Sequence, residues 1–244
     1  MTKIFAHRGF SGEYPENTMP AFQKAIECGA EGIELDVHLT SDGVAVIMHD
    51  ENTIRTCGEN HLIKDLTAEQ FLALDAGFVT GGKDGVVHPS TLEAYFELVK
   101  DTDLVTNIEL KTGVYEYPNI ERKVLALIDR FDLRKKVIIS SFNHFSVCRF
   151  KELAPDVKVG FLEESWLIHP GAYTRNRGAE CYHPFINTLN HESVMDLRNN
   201  HIEINAWTIN SPEDMRRCLS LGLEIGITNY PDRFLALRRE VCGK

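Results

Sequence analysis

Short apolar or β-branched runs alternate with longer stretches of helical spacing along the 244 residues of this chain. This alternation predicts an α/β fold in which helices join parallel strands. The chain length suits one closed (β/α)8 barrel of the TIM type, which typically takes about 250 residues. We therefore expect a single barrel domain over residues 1–244, with an extra hairpin near one rim.

Nine segments have the length and composition of strands. They are Ile4–His7, Gly32–Val37, Val44–His49, Val105–Lys111, Lys136–Phe142, Val157–Leu162, Ala179–His183, Glu203–Ile209 and Leu223–Thr228. One is surplus to an eight-stranded barrel. Asp42-Gly43 explains it, because this dipeptide is typical of two-residue hairpin turns and too few residues flank it for a crossover helix. Counting outward from such a turn places Asp36 opposite His49.

Most of the segments between these strands carry apolar residues on one helical face. They are Thr18–Cys28, Thr91–Lys100, Ile120–Phe131, Ser146–Leu153, Ser193–Asn199 and Pro212–Leu221. Residues 51–90 are polar, rich in glycine and weakly patterned, apart from a short helical stretch at Thr67–Leu74. We expect them to form a small extension over the rim and not a separate domain.

The net charge of −10 limits the kinds of partner. Nucleic-acid binding and docking on anionic membranes need clustered Lys and Arg, so neither is expected. The chain shows no signal-peptide pattern and no apolar run long enough to span a membrane, and its six scattered cysteines predict reduced thiols. These features predict a cytoplasmic protein without a membrane span, and an oligomer is compatible with them.

Polar side chains are concentrated where predicted strands end, and in a barrel the carboxyl ends of the strands form the active face. Glu34 and Asp36 close one strand, and Glu109 and Lys111 close another, each pair at spacing i, i+2. Side chains alternate along a strand, so both pairs point into the barrel mouth. Converging carboxylates repel unless protons or a cation separate them, and oxygen ligands favour Mg²⁺ or Ca²⁺. We predict one such divalent cation on Glu34, Asp36 and Glu109; ion pairs with Lys111 and Arg8 are the alternative.

His7 and His49 each end a predicted strand beside these acids. Imidazole accepts and releases protons near neutral pH, and displacement at a phosphodiester needs both steps. One histidine would activate the nucleophile and the other would protonate the leaving alkoxide, and the pattern does not assign the two roles. For either histidine alone, a structural role is the simpler explanation. Glu16 and Asn17, which open a helix after Pro15, are candidates to orient His7 or to contact phosphate.

Seven segments together resemble the glycerophosphodiester phosphodiesterase family in order and spacing. They are HRGFSGEYPENTMPAF, GIELDVHLTSDGVAVIMHD, HPSTLEAYFE, NIELK, IISSF, NAWTIN and GITNYPD, and they span Ala6 to Asp232. The resemblance implies a metal-dependent barrel enzyme that hydrolyses glycerophosphodiesters to sn-glycerol 3-phosphate and an alcohol. The residues it matches are His7 and His49 as the acid–base pair, Glu34, Asp36 and Glu109 as metal ligands, Arg8 and Lys111 as phosphate contacts, and Trp207 as an aromatic lining of the substrate pocket.

The chain departs from the family pattern at Val87–Ala94 and at Leu223–Gly226, and neither segment holds a matched catalytic position. The first departure puts substrate preference in doubt. A lysophospholipase D or phosphoinositide-type phospholipase is an alternative, and it would need an apolar rim, for which residues 161–177 are the candidate. A noncatalytic phosphate-binding barrel is another, although it should lack a histidine or a ligand and this chain has all of them. The sequence leaves open the head-group alcohol, the cation, and attack by water or by a glycerol hydroxyl.

Overall fold

Eight parallel strands close into a barrel with helices between them, as the sequence predicts. The computed structural model describes residues 1–243. Its strands are β1 (Lys3–His7), β2 (Gly32–Leu39), β3 (Ala45–Ile47), β4 (Ser90–Thr91), β5 (Val105–Leu110), β6 (Val137–Ser141), β7 (Lys158–Glu163), β8 (Cys181–Pro184), β9 (Glu203–Ala206) and β10 (Ile225–Thr228). The ring runs β1-β10-β9-β8-β7-β6-β5-β2 and closes through the parallel pairing of β1 with β2.

The helices lie outside this ring and cover it. They are α1 (Met19–Glu27), α2 (Ile54–Cys57), α3 (Ala68–Leu72), α4 (Leu92–Val99), α5 (Ile120–Arg130), α6 (His144–Leu153), α7 (Pro170–Asn176), α8 (His191–Asn199), α9 (Pro212–Leu221) and α10 (Pro231–Cys242). The sequence did not predict α2, α7 and α10. Helix α7 buries Pro170, Gly171 and Thr174, and such small or polar residues give no apolar periodicity to read. None of these helices is long and apolar enough to cross a bilayer.

The predicted hairpin is present, but its register differs by one residue from the prediction. Strand β3 pairs antiparallel with β2, with Val37 opposite Ile47. Asp36 therefore lies opposite Met48, whose backbone N–H donates to the Asp36 carbonyl at 3.1 Å, and not opposite His49. The cause is the loop, in which Gly43 has a left-handed φ of +79° and the Thr40 N–H donates to the Val44 carbonyl, so three residues turn the chain instead of two.

Residues 51–90 pack over this hairpin. They contain α2, α3, the short strand β4 and two single turns of 3₁₀-helix, Ile63–Asp65 and Ala76–Thr80. Ile63 and Phe71 are fully buried against Val46 and Met48. Burying two large apolar side chains stabilises this contact by about 3–6 kcal/mol, since each contributes about 1.5–3 kcal/mol. The extension is thereby held against the end of β3, where His49 follows.

Inside the ring, an apolar cluster lies below the polar mouth. Its members include Phe5, Ile138, Ile225 and Ile227, each at most 5 % exposed. Phe5 stands two residues before His7 on β1, so both side chains point to the same side of the strand. The barrel interior is thus apolar where the strands begin and polar where they end, which confines charged groups to the carboxyl end.

Candidate active site

Three carboxylates meet at the carboxyl end of β2 and β5. Asp36 lies opposite Glu109 in the parallel register, and Glu34 lies two residues before Asp36 on the same side of β2. Each residue offers one oxygen atom, and the three oxygens lie within 4.8 Å of one another. The side chains are buried, with Glu34 at 4 %, Asp36 at 0 % and Glu109 at 8 % exposure. The structure therefore brings together the acids that the strand-end pattern singled out.

The charged side chains of Lys111 and Arg8 lie against these acids, as the alternative prediction of ion pairs expected. Lys111 Nζ is 2.9 Å from Glu109 Oε1 and 3.7 Å from Asp36 Oδ1, and Arg8 Nε is 3.5 Å from Asp36 Oδ2. Burial opposes the charged form of Asp36, yet Lys111 and Arg8 hold its pKa below the usual range. Burial, Asp36 and Glu109 raise the pKa of Glu34, and burial likewise raises that of Glu109. Lys111 and Arg8 thus favour the charged form of Asp36, while the charged forms of Glu34 and Glu109 are disfavoured.

This donor set fits a hard divalent cation. Asp36 Oδ1 is buried and has no hydrogen-bond partner among the residues that the structure describes. The other members of the set also present carboxylate oxygens, the ligand type that Mg²⁺ and Ca²⁺ prefer. A cation among them would relieve the repulsion that raises the pKa of Glu34 and Glu109.

His7 ends β1 beside this cluster. Its Nδ1 lies 2.6 Å from Asn229 Oδ1, and its Nε2 lies 3.8 Å from Glu34 Oε2. An amide oxygen only accepts, so Nδ1 carries the proton and Nε2 has a free lone pair towards the mouth. Burial and the nearby Arg8 guanidinium lower the pKa of His7 to about 3, which keeps the ring neutral.

His49 follows β3 and is held differently. Its Nδ1 lies 2.6 Å from Asp50 Oδ1, and the second oxygen of Asp50 accepts a hydrogen bond from Arg55 Nε at 2.6 Å. The hydrogen bond from His49 and the Arg55 guanidinium hold the pKa of Asp50 below its usual range. An anionic acceptor therefore faces His49, whereas a neutral amide faces His7.

The sequence suggested that Glu16 and Asn17 orient His7 or contact phosphate; in the described residues neither hydrogen-bonds to His7, and contact with phosphate stays a prediction. Asn17 Nδ2 donates to Asp36 Oδ2 at 2.8 Å. The Glu16 carboxylate accepts from Arg8 Nη1 at 3.0 Å and from both terminal nitrogens of Arg55 at 2.9 and 2.7 Å. The residue that orients His7 is Asn229, from the loop after β10. Its position at the end of the last strand was visible in the sequence, but its pairing with His7 depends on barrel closure.

A pocket of about 60 Å³ connects these groups. Its polar wall is formed by His7, Arg8, Glu34, His49, Asn107 and Glu109, and its other wall by Phe142, Leu162, Trp207, Thr208 and Ile227. The Phe142 and Trp207 rings meet edge to face with centroids 5.6 Å apart, and Trp207 Nε1 donates to the His183 carbonyl at 2.8 Å. Trp207 thus lines this pocket, and its contact with substrate stays a prediction. The pocket can hold a small molecule with one anionic and one less polar side.

Sequence reasoning missed Asn107, Asp50 and Arg55. Asn107 stands two residues before Glu109 on β5, so its position on the same face could have been read from the strand. It is 1 % exposed, and neither polar atom of its amide has a partner among the described residues. Asp50 adjoins His49 in sequence. Arg55 lies in the weakly patterned extension and gives no signal in the sequence.

The barrel belongs to the phosphoric diester hydrolases, a class that its match to known enzymes over almost the whole chain defines. The chain belongs to the glycerophosphoryl diester phosphodiesterase family, whose model matches residues 7–233. It is 40 % identical over 239 residues to a glycerophosphodiester phosphodiesterase of Caldanaerobacter subterraneus subsp. tengcongensis, which covers 98 % of both chains.

Solved structures agree with the fold. A putative glycerophosphoryl diester phosphodiesterase from Silicibacter pomeroyi superposes with a TM-score of 0.91 at 22 % identity, over 99 % of this chain and 94 % of that one. An Oleispira antarctica phosphodiesterase, solved in complex with the product sn-glycerol-3-phosphate, gives a TM-score of 0.86 at 25 % identity, over 97 % and 96 % of the two chains. Our chain is an enzyme of this family with the family's barrel.

Proposed function

We propose that this enzyme hydrolyses small glycerophosphodiesters to sn-glycerol 3-phosphate and an alcohol, with His7 and His49 as the acid–base pair. The proposal depends on one observation, the convergence of three buried carboxylates within 4.8 Å beside a pocket that both histidines line. The product complex of the Oleispira antarctica relative supports a glycerophosphate substrate.

We propose that Glu34, Asp36 and Glu109 hold one divalent cation, Mg²⁺ or Ca²⁺. Two observations support this. Asp36 Oδ1 has no hydrogen-bond partner among the described residues, and the pKa values of Glu34 and Glu109 are raised. When bound, such a cation supplies positive charge that stabilises the phosphoryl oxygens as the bonds change.

Arg8 and Lys111 are proposed to contact the phosphoryl oxygens. Arg8 lines the pocket, and Lys111 contacts Glu109, which also lines it. Arg8 Nε is buried without a hydrogen-bond partner among the described residues. A cation that shares the carboxylates would leave more of both side chains for an anionic substrate. Trp207 and Phe142, on the less polar wall, are proposed to contact the carbon atoms of the substrate.

The partners of the two imidazoles suggest their roles. Asn229 is neutral and presents His7 with a free Nε2, which suits a base that takes a proton from the attacking oxygen. Asp50 is anionic and orients the His49 ring through Nδ1, which suits an acid that gives a proton to the leaving alkoxide. The attacking oxygen is water or the neighbouring glycerol hydroxyl, and the second route passes through a cyclic phosphate.

We further propose one domain over residues 1–244, working in the cytoplasm on water-soluble diesters. Contact of the 51–90 extension with Glu16 through Arg55 supports the single unit. The six cysteines are all free, and burial raises the pKa of the Cys181 and Cys218 thiols, which keeps these two thiols unreactive.

A lysolipid substrate is the second candidate. The loop after β7 exposes Trp166 by 65 % and Ile168 by 79 % at the same end of the barrel as the pocket. Exposed apolar side chains near a pocket can contact an acyl chain.

One panel tests these proposals. Release of glycerol 3-phosphate is measured from glycerophosphocholine, glycerophosphoethanolamine and glycerophosphoglycerol, and release of the head-group alcohol is measured from a lysophospholipid, each with Mg²⁺, Ca²⁺ or chelator. We expect turnover of the water-soluble diesters with a divalent cation. Preference for the lysolipid by more than about tenfold, or about 1.4 kcal/mol of transition-state discrimination, would favour the second candidate. Full activity in chelator would contradict the proposed need for a divalent cation.

A further inference from the structure

Arg55, in the extension over the rim, binds two carboxylates at once. Its terminal nitrogens donate to both oxygens of Glu16 at 2.9 and 2.7 Å, and its Nε donates to Asp50 Oδ2 at 2.6 Å. Glu16 comes from the loop after β1, and Asp50 comes from the end of the hairpin. A single guanidinium thus joins two segments that lie 34 residues apart in sequence, counted as 50 − 16.

We propose that Arg55 is a positioning residue for the reaction, which holds Asp50 aimed at His49 and Glu16 shared with Arg8. This inference depends on the proposed acid–base role of His49. It gives the 51–90 extension a part in catalysis that neither its weak sequence pattern nor the pocket lining shows.

The contacts form a continuous chain of alternating charge. His49 Nδ1 donates to Asp50, Asp50 accepts from Arg55, Arg55 donates to Glu16, and Glu16 accepts from Arg8 at 3.0 Å. Each acid therefore has a cation or a ring N–H on both sides. Two acids separated only by Arg55 would repel each other and lose their orientation without it.

The geometry explains why Asp50 needs this partner. Asp50 uses Oδ1 for His49 and Oδ2 for Arg55, so the two bonds together fix the plane of the carboxylate. With Oδ2 free, the half-exposed carboxylate can rotate, and His49 loses its fixed acceptor. Small misplacements of a proton donor have large effects on rate, because proton transfer requires hydrogen-bond contact.

A second consequence concerns Arg8. The Glu16 carboxylate is divided between Arg8 and Arg55, which makes two of its contacts. Without Arg55, the Glu16 carboxylate would pair with Arg8 alone. This stronger pairing would draw the Arg8 guanidinium away from a phosphoryl group. Lysine cannot replace Arg55, because one ammonium does not span two carboxylates with fork geometry.

The chain offers a matched control at the other end of the barrel. Arg134 also joins two carboxylates, with Nε and Nη2 on Asp129 at 2.6 and 3.0 Å and Nη1 on Asp156 at 2.7 Å. Its side chain is 36 % exposed, against 41 % for Arg55. Arg134→Ala therefore removes an equivalent bridge that touches no part of the proposed active site.

The experiment compares Arg55→Ala, Arg55→Lys, Arg134→Ala and His49→Ala on glycerophosphocholine with saturating Mg²⁺. We expect Arg55→Ala to lower kcat by about 10- to 100-fold, in the range for partners that orient a catalytic side chain. Arg55→Lys should be nearly as slow, and Arg134→Ala should match the wild type. Arg55→Ala and Arg134→Ala should show similar small shifts in Tm. Added guanidinium ion at millimolar concentration should restore part of the kcat of Arg55→Ala.

The double variant Arg55→Ala/His49→Ala decides whether Arg55 acts through His49. We expect the loss caused by Arg55→Ala to be smaller in the His49→Ala background than in the wild type, because only its effect through Glu16 and Arg8 remains. Full activity in Arg55→Ala, complete recovery in Arg55→Lys, or losses that multiply in the double variant would each overturn the inference. Wild-type activity in His49→Ala would instead overturn the proposed function, so the two failures are distinguishable.

Discussion

The two ends of the barrel both carry a cavity and charged side chains, yet their charges are arranged differently. The cavity at the amino end measures about 650 Å³ and the pocket at the carboxyl end about 60 Å³. At the amino end acids and bases are matched, as in Lys158 with Glu203 and Arg134 with Asp156. At the carboxyl end three buried carboxylates converge, and Asp36 Oδ1 has no hydrogen-bond partner among the residues that the structure describes. Converging carboxylates therefore distinguish the carboxyl end, where we propose that the reaction takes place, while cavity volume does not.

Buried histidines give the same lesson. Burial lowers the pKa of both His183 and His7 to about 3. His183 lies inside the barrel, where Asn205 Nδ2 is 3.1 Å from its Nε2, and His7 lies at the mouth with Nε2 facing the pocket. A shifted pKa therefore identifies a catalytic histidine only when the free nitrogen also reaches the pocket.

The largest expected effect is loss of the cation. Chelation should abolish turnover of glycerophosphocholine, and Mg²⁺ or Ca²⁺ should restore it, because the carboxylates need a counter-charge. In the cation-free protein, Glu34→Gln should raise Tm, since the raised pKa of Glu34 shows that its charge is disfavoured in the fold. Calorimetry should show weaker Mg²⁺ binding by this variant.

The matched control is Glu203→Gln, at the amino end. It should leave Mg²⁺ binding unchanged. If Glu34→Gln and Glu203→Gln weakened Mg²⁺ binding equally, the converging carboxylates would not distinguish the carboxyl end.

The next effect concerns the histidines. His7→Ala and His49→Ala should each lower kcat by about 10²–10⁴-fold, the usual contribution of a positioned acid or base. Mg²⁺ binding and the circular dichroism spectrum should be retained. A nitrophenyl diester, whose leaving group needs no proton, should rescue His49→Ala more than His7→Ala.

The control is His61→Ala, which removes an exposed histidine paired with Glu59. It should behave as the wild type. If the nitrophenyl diester rescued His7→Ala instead of His49→Ala, the roles of acid and base would be reversed. Normal rates in both variants on glycerophosphocholine would contradict both roles.

A smaller effect should appear in stability. Burial lowers the pKa of His183 from 6.5 in the unfolded chain to about 3 in the fold, so below pH 6.5 the unfolded chain binds a proton that the folded protein does not. The stability associated with this neutral ring is complete above pH 6.5 and is lost as the pH falls towards 3, by about 1.4 kcal/mol for each pH unit.

Chemical denaturation at pH 7, 6 and 5 measures this slope. His183→Gln should flatten it, while His191→Gln, at an exposed histidine, should not. An unchanged slope in His183→Gln would assign the acid sensitivity to the mouth of the barrel, where His7 also has a lowered pKa.

The sequence was sufficient for the fold and for the groups that strand alternation aligns. Glu34, Asp36 and Glu109 could be placed together because two residues of spacing on a strand fix the side to which they point. The hairpin was predicted, but its register was wrong, since loop length depends on the left-handed backbone of Gly43. Arg55 could not be predicted, because its position depends on how a weakly patterned extension packs.

The smallest expected effect is at the amino end of the barrel. It tests whether charged side chains at this end are without influence on the reaction. Lys158 and Glu203 form an ion pair with side chains 48 % and 36 % exposed. Exposed pairs are solvated and screened, so a double-mutant cycle of Lys158→Ala and Glu203→Ala should give a coupling energy of about 0–1 kcal/mol. The kcat for glycerophosphocholine should match the wild type in all three variants, because this pair lies at the opposite end of the strands from His7 and His49. A severalfold fall in kcat without a fall in Tm would show that the large cavity takes part in the reaction, and the distinction between the two ends would then fail.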